Sequence, residues 1–262
     1  MSGSSDAATW DRLSDVYGRD LALSPPERSL LSMFRGAWQD VDMLDLGVGA
    51  GRTAYTFSAL TRRYVGLDFS PRMIEQARRI VEENARTSFV VQDVRDLSPW
   101  HGQNFQLVLF SFNGIDAVDP TERRVVLSEV RKVIADDGVF AFSSHSLHAL
   151  PFDTSLRRPA LRAPLSSAYR NLRRTLGLAR ANRLVDLDRA WERGWTLVRD
   201  DAHDFSLVLC YVSPEHQVAE LAEVGFPSCE ILDMKGRSVD MQAPGRDPHL
   251  FYVARPGRAN AP

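Results

Sequence analysis

Asp45-Leu-Gly-Val-Gly-Ala-Gly51 is the stretch that decides the fold, because it joins a short apolar run to an amphipathic one. The apolar run covers residues 41–46 and the amphipathic one residues 52–60, a pattern typical of a strand, a tight turn and a helix. Glycines let the backbone of such a turn bend sharply and approach a ligand closely. The loop therefore predicts a site for a nucleoside-type ligand.

The pattern of strand and helix repeats through the first half of the chain. Ser70 can cap a second helix, and Asp119 can cap a third that ends at Gly138, each with apolar residues on one face. Strands are predicted at 41–46, 64–68, 89–92, 105–110 and 139–144. Strands that alternate with helices indicate a parallel sheet covered on both faces, so the predicted fold class is α/β.

The alternation stops after residue 144, where the composition changes. Residues from about 147 to 203 show no strand of the buried type, and we interpret them as a lid inserted into a single domain. Between residues 151 and 200, eleven arginines stand against five acids. After the lid, the pattern predicts a half-exposed strand at 205–211, a helix that ends at Gly225, and two final strands. These final strands are expected at 231–232 and 250–254.

The composition is that of a globular protein, with 262 residues of which 44% are hydrophobic and 25% charged. No apolar run reaches the ~20 residues needed to cross a bilayer, and residues 1–8 lack a signal-peptide pattern, so a cytoplasmic protein without membrane contact is expected. A net charge of −2 argues against a protein that coats nucleic acid. The two cysteines fit neither a disulfide framework nor a metal motif.

Two acidic residues near the loop indicate which nucleoside ligand it holds. A dinucleotide-binding loop would have a third glycine at the position of Arg52. Asp45 would repel a pyrophosphate, whereas it can accept a hydrogen bond from an ammonium group. Asp68 closes the second strand, where a carboxylate can accept from both ribose hydroxyls. A ligand with a free ribose and a cationic amino-acid part is therefore predicted.

These residues resemble the motifs of the class I S-adenosylmethionine-dependent methyltransferases. Residues 45–51 resemble the first motif of that family, and residues 66–73 resemble the second. Gln92-Asp-Val94 is similar to its adenine-binding site, and Phe110-Ser-Phe-Asn-Gly114 to its fourth motif. The match at successive strand ends makes a purely structural turn at the glycine loop an unfavoured explanation.

The resemblance covers about residues 10–146 and 213–254 and leaves the lid unmatched. Within it, a helix placed at about residues 8–22 resembles the one that covers the cofactor in many members. The resemblance implies a Rossmann-like fold with a seven-stranded, mostly parallel sheet. Five strands would be parallel, and a closing antiparallel hairpin would complete the sheet.

The resemblance also implies S-adenosylmethionine as cofactor, with S-adenosylhomocysteine as product. Asp68 would bind the ribose, Asp93 the exocyclic amine of adenine, and the backbone N–H of Val94 the adenine ring. Phe69 and Met73 would contact the adenine faces, although Met73 could equally pack in the core. The predicted cofactor-binding residues are Asp45, Gly47, Gly49, Gly51, Asp68, Phe69, Met73, Asp93, Val94, Ser111 and Asn113. For Asn113, a purely structural turn is the alternative.

Methyl transfer from a sulfonium is an in-line displacement, so the protein must hold the acceptor about 3 Å from the methyl carbon and exclude water. A hydroxyl acceptor gains from a base within hydrogen-bond reach, whereas an amine needs mainly positioning. His145 directly follows the fifth strand and is the predicted catalytic base. Substrate binding and a structural hydrogen bond are its alternatives. Asp116 is the second catalytic candidate, which could orient His145, bind substrate or simply form a turn.

Tyr17, His148 and Tyr211 are the predicted substrate-binding residues, with core packing as the alternative for Tyr211. The lid arginines could line a mouth for an acidic small molecule, or they could belong to solvated helix faces. Few aromatic residues lie among them, so a nucleic-acid partner is not expected. No metal site is predicted, because no group of carboxylates and histidines has the required spacing.

The sequence therefore predicts a methyltransferase that transfers the methyl group of S-adenosylmethionine to a small molecule, at a hydroxyl. Methylation of an amine or of a protein terminus is the alternative within the same class. A nicotinamide-dependent oxidoreductase and a non-catalytic S-adenosylmethionine-binding protein are the alternatives from other classes.

Overall fold

The structure, a computed structural model, describes residues 20–150, 180, 182, 185–199, 207–241 and 243–257. The strands of the described residues are β1 (Asp42–Leu46), β2 (Arg63–Asp68), β3 (Thr87–Val91), β4 (Phe105–Phe110), β5 (Ile134–Ser146), β6 (Trp195–Arg199), β7 (Val208–Val212), β8 (Ser228–Leu232) and β9 (His249–Arg255). The helices are α1 (Pro25–Met33), α2 (Arg52–Leu60), α3 (Pro71–Ile80), α4 (Pro120–Val133), α5 (Leu187–Arg193) and α6 (Pro214–Glu223).

These nine strands form one sheet. β1 to β5 are parallel, in the order β3-β2-β1-β4-β5. β9 is antiparallel to both β5 and β8. β7 runs parallel to β5 only at His145 and Ser146, and it pairs with β6 in antiparallel fashion. The carboxyl ends of the parallel strands therefore meet at one edge of the sheet, where ligands bind in open α/β folds.

Each face of the sheet is covered by its own hydrophobic core. Leu44 of β1 packs in one core with Val130 of α4. Its neighbour Met43 packs in the other core, with Phe57 of α2 and Leu30 of α1. The two faces alternate along β1 because successive side chains of a strand point in opposite directions. Helices on both faces leave the carboxyl edge open for the site.

The predicted α/β class is confirmed, and the five parallel strands lie where the sequence placed them. The predicted count of seven strands is wrong, because the described residues contain nine. The sequence pattern placed eight of these nine strands individually, and the ninth is β6, which falls within the predicted lid. Its side chains alternate, with Thr196 and Val198 buried and their neighbours more exposed. This alternation differs from the continuous apolar run by which a strand buried on both faces is recognised.

The junction between α4 and β5 also differs from the prediction. α4 ends at Val133 and β5 begins at Ile134, so the helix does not continue to Gly138. Gly138 lies within β5, where a Cβ would be 2.9 Å from the carbonyl oxygen of Phe105 in β4. Gly138 is therefore needed for the close approach of β4 and β5, and it does not mark the end of a helix.

The chain before β1 contains α1, which the sequence analysis did not predict. A capping box begins it: the backbone N–H of Ser24 donates to Oε2 of Glu27 at 2.6 Å. The predicted cofactor-covering helix at about residues 8–22 falls almost wholly outside the described residues, as does most of the predicted lid. Among the described helices, none has the length and apolar character to cross a membrane.

Candidate active site

The glycine loop joins β1 to α2 in a backbone conformation that favours glycine. Gly47, Gly49 and Gly51 have φ angles of 60°, 55° and 92°. A Cβ on Gly47 would lie 2.8 Å from the Phe110 ring, and a Cβ on Gly51 would lie 3.0 Å from Cα of Ala77. These two glycines therefore allow the loop to pack closely on β4 and α3.

Gly49 faces open space and lies next to the carboxylate at the end of β2. Among the described residues, a Cβ on Gly49 would have only the carbonyl oxygen of Gly47 within 4 Å, at 4.0 Å. The backbone N–H of Gly49 donates to Oδ2 of Asp68 at 3.0 Å, and that of Ser70 donates to Oδ1 at 2.9 Å. An open glycine cradle beside an oriented carboxylate fits an adenosyl group whose ribose hydroxyls are free.

Substitution of Gly49 by alanine is expected to lower the affinity for S-adenosylhomocysteine by roughly 10-fold or more, because the Cβ would project into the cradle. Its positive φ also costs about 1 kcal/mol of stability for any residue with a Cβ. Gly102 is a matched control, with a φ of 74° and nothing within 4 Å of the position that a Cβ would take. We expect Gly102→Ala to show a similar loss of melting temperature by calorimetry without a loss of affinity; equal affinities for the two variants would contradict the placement of the ligand.

Asp45 lies inside the domain, with its carboxylate in the core beside the glycine loop. It is 1% exposed, and its Oδ2 accepts hydrogen bonds from the hydroxyls of Thr53 and Tyr64, both at 2.5 Å. Burial raises the pKa of Asp45 to about 7, although these hydrogen bonds oppose the rise. The side chain thus supports the loop from the core side, and the contact between Asp45 and a ligand ammonium group stays a prediction.

The raised pKa of Asp45 makes a prediction about stability. An unfolded aspartate has a pKa near ~3.9, so between roughly pH 4 and 7 the folded state holds a proton that the unfolded state has released. The contribution of Asp45 to stability is therefore present at low pH and is lost as the pH rises through this window, by at most about 1.4 kcal/mol per unit. Asp45→Asn should lack this loss. The difference between its urea unfolding midpoint and that of wild type should therefore shift in favour of the variant as the pH rises from 5 to 8. Asp136→Asn, at an exposed position, corrects for net charge, and parallel pH curves for Asp45→Asn and wild type would contradict the prediction.

The predicted adenine site follows β3, and its carboxylate is held by an arginine. Nη2 of Arg95 donates to Oδ2 of Asp93 at 2.6 Å, and Nη1 donates to Glu122 at 2.6 Å. Burial tends to raise the pKa of Asp93, but the hydrogen bonds from Arg95 outweigh it and the pKa is lowered. Asp93 is therefore ionised and oriented, as an acceptor for an adenine amine must be. Val94 follows it directly and is half-buried.

The two side chains predicted to contact the adenine faces differ in exposure. Phe69 is 39% exposed just beyond the end of β2, where its ring is available to a ligand. Met73 is 2% exposed on α3. Its burial favours the alternative of core packing.

The end of β4 turns sharply at the residues assigned to the methionine part of the cofactor. Phe112 and Asn113 have φ angles of 55° and 61°, a conformation that costs energy in residues other than glycine and is concentrated at functional sites. The backbone N–H of Asn113 donates to Oγ of Ser143 at 2.8 Å, and its Nδ2 lies 2.7 Å from Nδ1 of His249. The side chain of Ser111, just before this turn, makes a hydrogen bond with Glu27 instead.

A buried glutamate that the sequence analysis missed joins α1 to the site. Glu27 is fully buried, with Oε1 2.5 Å from Nη2 of Arg52 in the helix after the glycine loop. The hydroxyl of Ser111 donates to the same oxygen of Glu27. The guanidinium of Arg52 lies 5.3 Å from the centre of the Phe112 ring. These contacts connect the start of the chain, the loop and the end of β4; the capping pattern of Ser24 and Glu27 was the only signal in the sequence.

His145 and Asp116 form a hydrogen-bonded pair beyond the carboxyl end of β4. Nδ1 of His145 lies 2.7 Å from Oδ2 of Asp116, which also accepts from the backbone N–H of His145 at 2.6 Å. A carboxylate can only accept, so Nδ1 carries the proton and Nε2 is the nitrogen able to take another. The structure therefore supports one of the three roles predicted for Asp116, which is to orient His145.

Asp116 is held by two further groups on its other oxygen. Oδ1 accepts from the hydroxyl of Ser144 at 2.6 Å and from Nη1 of Arg123 at 2.9 Å. Burial alone raises the pKa of Asp116, but the hydrogen bond and charge of His145, with Arg123 and Ser144, more than reverse this effect, so the pKa is lowered. Asp116 is thus an ionised carboxylate at a fully buried position.

Two aromatic side chains flank His145 across the sheet. His145 is paired with Tyr211 of β7 on one side and with His249 of β9 on the other. Its ring lies 4.6 Å from that of Tyr211, in a stacked arrangement, and 4.5 Å from that of His249, edge to face. Tyr211 therefore lies beside the candidate base, but it is 2% exposed and packs in a hydrophobic cluster, so the structure favours the alternative of core packing. His249 was not predicted, because no motif distinguishes it.

His148, another predicted substrate-site residue, contacts a different set of side chains. His148 lies 3.6 Å from Glu215, and its ring is 4.9 Å from that of Trp191 in the lid. Tyr17 lies outside the described residues, so its role in substrate binding stays a prediction. Over the described ranges, no three histidine, cysteine, aspartate or glutamate side chains are grouped as metal ligands would be.

Comparison with known protein sequences identifies the central part of the chain. Residues 43–138 match a family model described as a methyltransferase domain. The chain is 31% identical to a demethylmenaquinone methyltransferase of Clavibacter sepedonicus, over 42% of this chain and 43% of that protein. It is also 31% identical to the N-methyltransferase FrzE of a Cladobotryum species, over 43% of this chain and 45% of that protein. The chain thus spans less than half the length of these curated relatives.

Solved structures match over nearly the whole chain. The CcbJ methyltransferase from Streptomyces caelestis has a TM-score of 0.60 at 16% identity, covering 95% of this chain and 98% of its own. A DhpI–SAH complex has a TM-score of 0.55 at 18% identity, covering 97% of both chains. The glycopeptide N-methyltransferase MtfA, complexed with (S)-adenosyl-L-methionine, has a TM-score of 0.54 at 17% identity, covering 91% of this chain and 96% of its own.

At these identities the structural likeness establishes the fold, and the family model establishes the domain. Both agree with the motifs at the ends of β1, β2, β3 and β4. Residues 43–138 therefore match a methyltransferase domain, and the chain has the fold of the class I S-adenosylmethionine-dependent methyltransferases, as its motifs predicted.

Proposed function

We propose that this protein transfers a methyl group from S-adenosylmethionine to a hydroxyl group of a small molecule, with His145 as the general base. When bound, S-adenosylmethionine supplies an electrophilic methyl group on a sulfonium. The observation that carries the choice of a hydroxyl is the buried pair of His145 and Asp116 at the carboxyl edge of the sheet.

The cofactor would lie along that edge, held by groups at the ends of four strands. Asp68 is oriented to accept from the ribose hydroxyls, and Asp93 is ionised to accept from the adenine amine. Gly49, which has no side chain, leaves room for the cofactor to approach the loop closely. Ser111 and Asn113 lie at the end of β4, where the methionine part would end. Bringing the cofactor and acceptor together in this geometry is the largest part of what the protein must do.

A hydroxyl acceptor favours a base, because the oxygen becomes a much better nucleophile as its proton leaves. Asp116 fixes the imidazole of His145 with Nε2 as the basic nitrogen. Tyr211 and His249 restrict the ring from both sides. The pair therefore has the parts that proton removal from a hydroxyl needs: an imidazole in a fixed tautomer and a buried anion to stabilise the imidazolium that forms.

Methylation of an amine is the second candidate, because two similar proteins are named N-methyltransferases. They are FrzE and the glycopeptide N-methyltransferase MtfA. An amine with a neutral lone pair needs little help from a base, so His145 would then bind or shape the site without taking the proton. An acidic acceptor is proposed for either case, on the basis of the arginine-rich lid, of which Arg180, Arg189, Arg193 and Arg199 are described.

The choice between acceptors is tested with methyl-labelled S-adenosylmethionine and pairs of aromatic carboxylates that differ only in bearing a hydroxyl or an amine. We expect label in the methyl ether of the hydroxyl member, and none after His145→Asn. Label found only in the amine member, and retained in His145→Asn, would establish the alternative and overturn the proposed role of His145.

A further inference from the structure

Arg123 is a buried charge directly behind the pair of His145 and Asp116. It comes from the first turns of α4, is 1% exposed and has the largest of the fully buried side chains in the described residues. Nη1 donates to Oδ1 of Asp116 at 2.9 Å and to the carbonyl oxygen of Ile115 at 3.1 Å. Nη2 donates to Oε1 of Gln217 in α6 at 2.5 Å. The guanidinium therefore has a fixed position and orientation.

Stability of the fold does not by itself explain this arginine. Transfer of a guanidinium from water to the protein interior is costly, and apolar residues of similar volume often replace a buried ion pair without loss of stability. The neighbourhood of Arg123 also includes the hydrophobic core, with Val126 and Leu127 on the same helix fully buried. A role in the chemistry of the pair is the better explanation of a charge at this place.

The two oxygens of Asp116 are divided between the arginine and the histidine. Oδ1 receives Arg123, and Oδ2 receives Nδ1 of His145. A carboxylate without another counter-charge would favour an imidazole that is protonated on both nitrogens. Such an imidazole cannot take the proton of the hydroxyl that receives the methyl group. A guanidinium on the other oxygen balances the carboxylate and repels a second positive charge on the ring.

We propose that Arg123 is a positioning residue for proton transfer, which balances the charge of Asp116 so that this carboxylate stabilises a second proton on the imidazole of His145 less strongly. The inference rests on the proposed function, in which His145 takes the proton. Arg123 touches neither substrate nor cofactor in this account and acts only through Asp116.

Of the groups that the structure describes around the cluster, four more lie close enough to bear on this balance. Tyr211 and His249 face the ring of His145 from β7 and β9. Cys210 lies near Arg123, but burial raises the pKa of this thiol to about 12, so it adds no charge at neutral pH. Glu220 approaches from α6, with Oε2 4.0 Å from Nε of Arg123, and it is more exposed than Asp116. The carboxylate closest to Arg123 is therefore the one bound to His145.

The test follows the imidazole of His145 by NMR, because this readout needs no methyl acceptor. The signals of His145 are assigned by their absence from His145→Asn, and their titration is compared in wild type, Arg123→Gln and Arg124→Gln. Arg124 is the matched control, since it is the next residue of α4, is exposed and pairs with Glu223 at the surface. Loss of the buried charge should move the midpoint of the His145 titration upward by about one pH unit or more, whereas loss of the surface charge should leave it in place.

A second variant keeps the test decisive if Arg123→Gln does not fold. Gln217→Glu retains Arg123 and places a negative charge on the oxygen position that now accepts from Nη2. It should move the midpoint of His145 in the same direction, because the guanidinium is then shared with another carboxylate. A midpoint that stays unchanged in every folded variant of this pair would overturn the inference.

Activity separates this inference from the proposed function. With an acceptor that the labelled-methyl experiment has identified, the acidic limb of the pH profile of kcat/KM should move upward by the same amount as the titration. If the NMR midpoint of His145 moves but the acidic limb of the kcat/KM profile does not, Arg123 is coupled to His145, and His145 is not the base. A merely structural role for Arg123 would lower the rate at every pH and move neither.

Discussion

Replacing Asp68 by alanine is expected to weaken binding of S-adenosylhomocysteine by on the order of 10²-fold or more, because two hydrogen bonds from the ribose to a charged acceptor are lost at about 1.5–3 kcal/mol each. The carboxylate already accepts from the backbone N–H groups of Gly49 and Ser70, which fix its direction. Isothermal titration calorimetry measures the change directly.

The control for Asp68→Ala is Asp136→Ala. Asp136 is an exposed aspartate near the start of β5, at the opposite edge of the sheet, and its loss changes the net charge equally. Melting temperatures of both variants show whether the loop has kept its structure. Undiminished affinity in a folded Asp68→Ala variant would mean that the ribose does not lie at the end of β2.

Replacing His145 by asparagine is expected to lower kcat for a hydroxyl acceptor by on the order of 10²-fold or more while cofactor affinity stays within about 2-fold, because the change removes the base without touching the glycine loop. Asparagine retains a polar group next to Asp116 and avoids a large cavity. Steady-state kinetics at saturating cofactor, with titration of S-adenosylhomocysteine on the same preparation, provide both values.

His101→Asn is the matched control for this variant. His101 contacts Glu129 at 2.9 Å, is part exposed and lies before β4, away from the carboxyl edge of the sheet. It should keep the wild-type kcat. A His145→Asn variant with the same kcat as His101→Asn would exclude proton transfer by His145, and would leave amine methylation as the better account.

The first half of the fold is predictable from the sequence because its signals are local. Apolar runs of a few residues precede glycine or polar turns, and helix starts are marked by Ser70 and by Asp119, both of which cap their helices in the structure. Each signal lies within a single element, so no knowledge of distant contacts is needed. β6 escaped prediction because it is paired on one side only, with β7, and its alternating burial resembles that of other exposed segments.

The cofactor side of the site is predictable for a different reason. Parallel strands bring their carboxyl ends to one edge, so residues that follow successive strands must be neighbours. Asp68 and Asp93 could be placed together on this ground. The environment of each residue could not: Asp45 is part of the same motif, yet the strand directs it beneath the loop to Thr53 and Tyr64.

The residues that were missed are joined by contacts between distant parts of the chain. Glu27 meets Ser111 across 84 positions, and Asn113 meets His249 across 136. Arg123 has the appearance of a surface residue in the sequence, because Arg124 and Glu122 beside it are charged as well. Only the packing of α4 against the turn at Gly114–Ala117 and against α6 shows that it is buried.

Titration of the purified protein with S-adenosylhomocysteine tests the central claim most directly, with reduced nicotinamide cofactor titrated in parallel. We expect saturable binding of S-adenosylhomocysteine to one site per chain and no binding of the reduced nicotinamide cofactor. Binding of the nicotinamide alone, or of neither ligand, would contradict the assignment of the glycine loop, and with it every role proposed for Asp68 and His145.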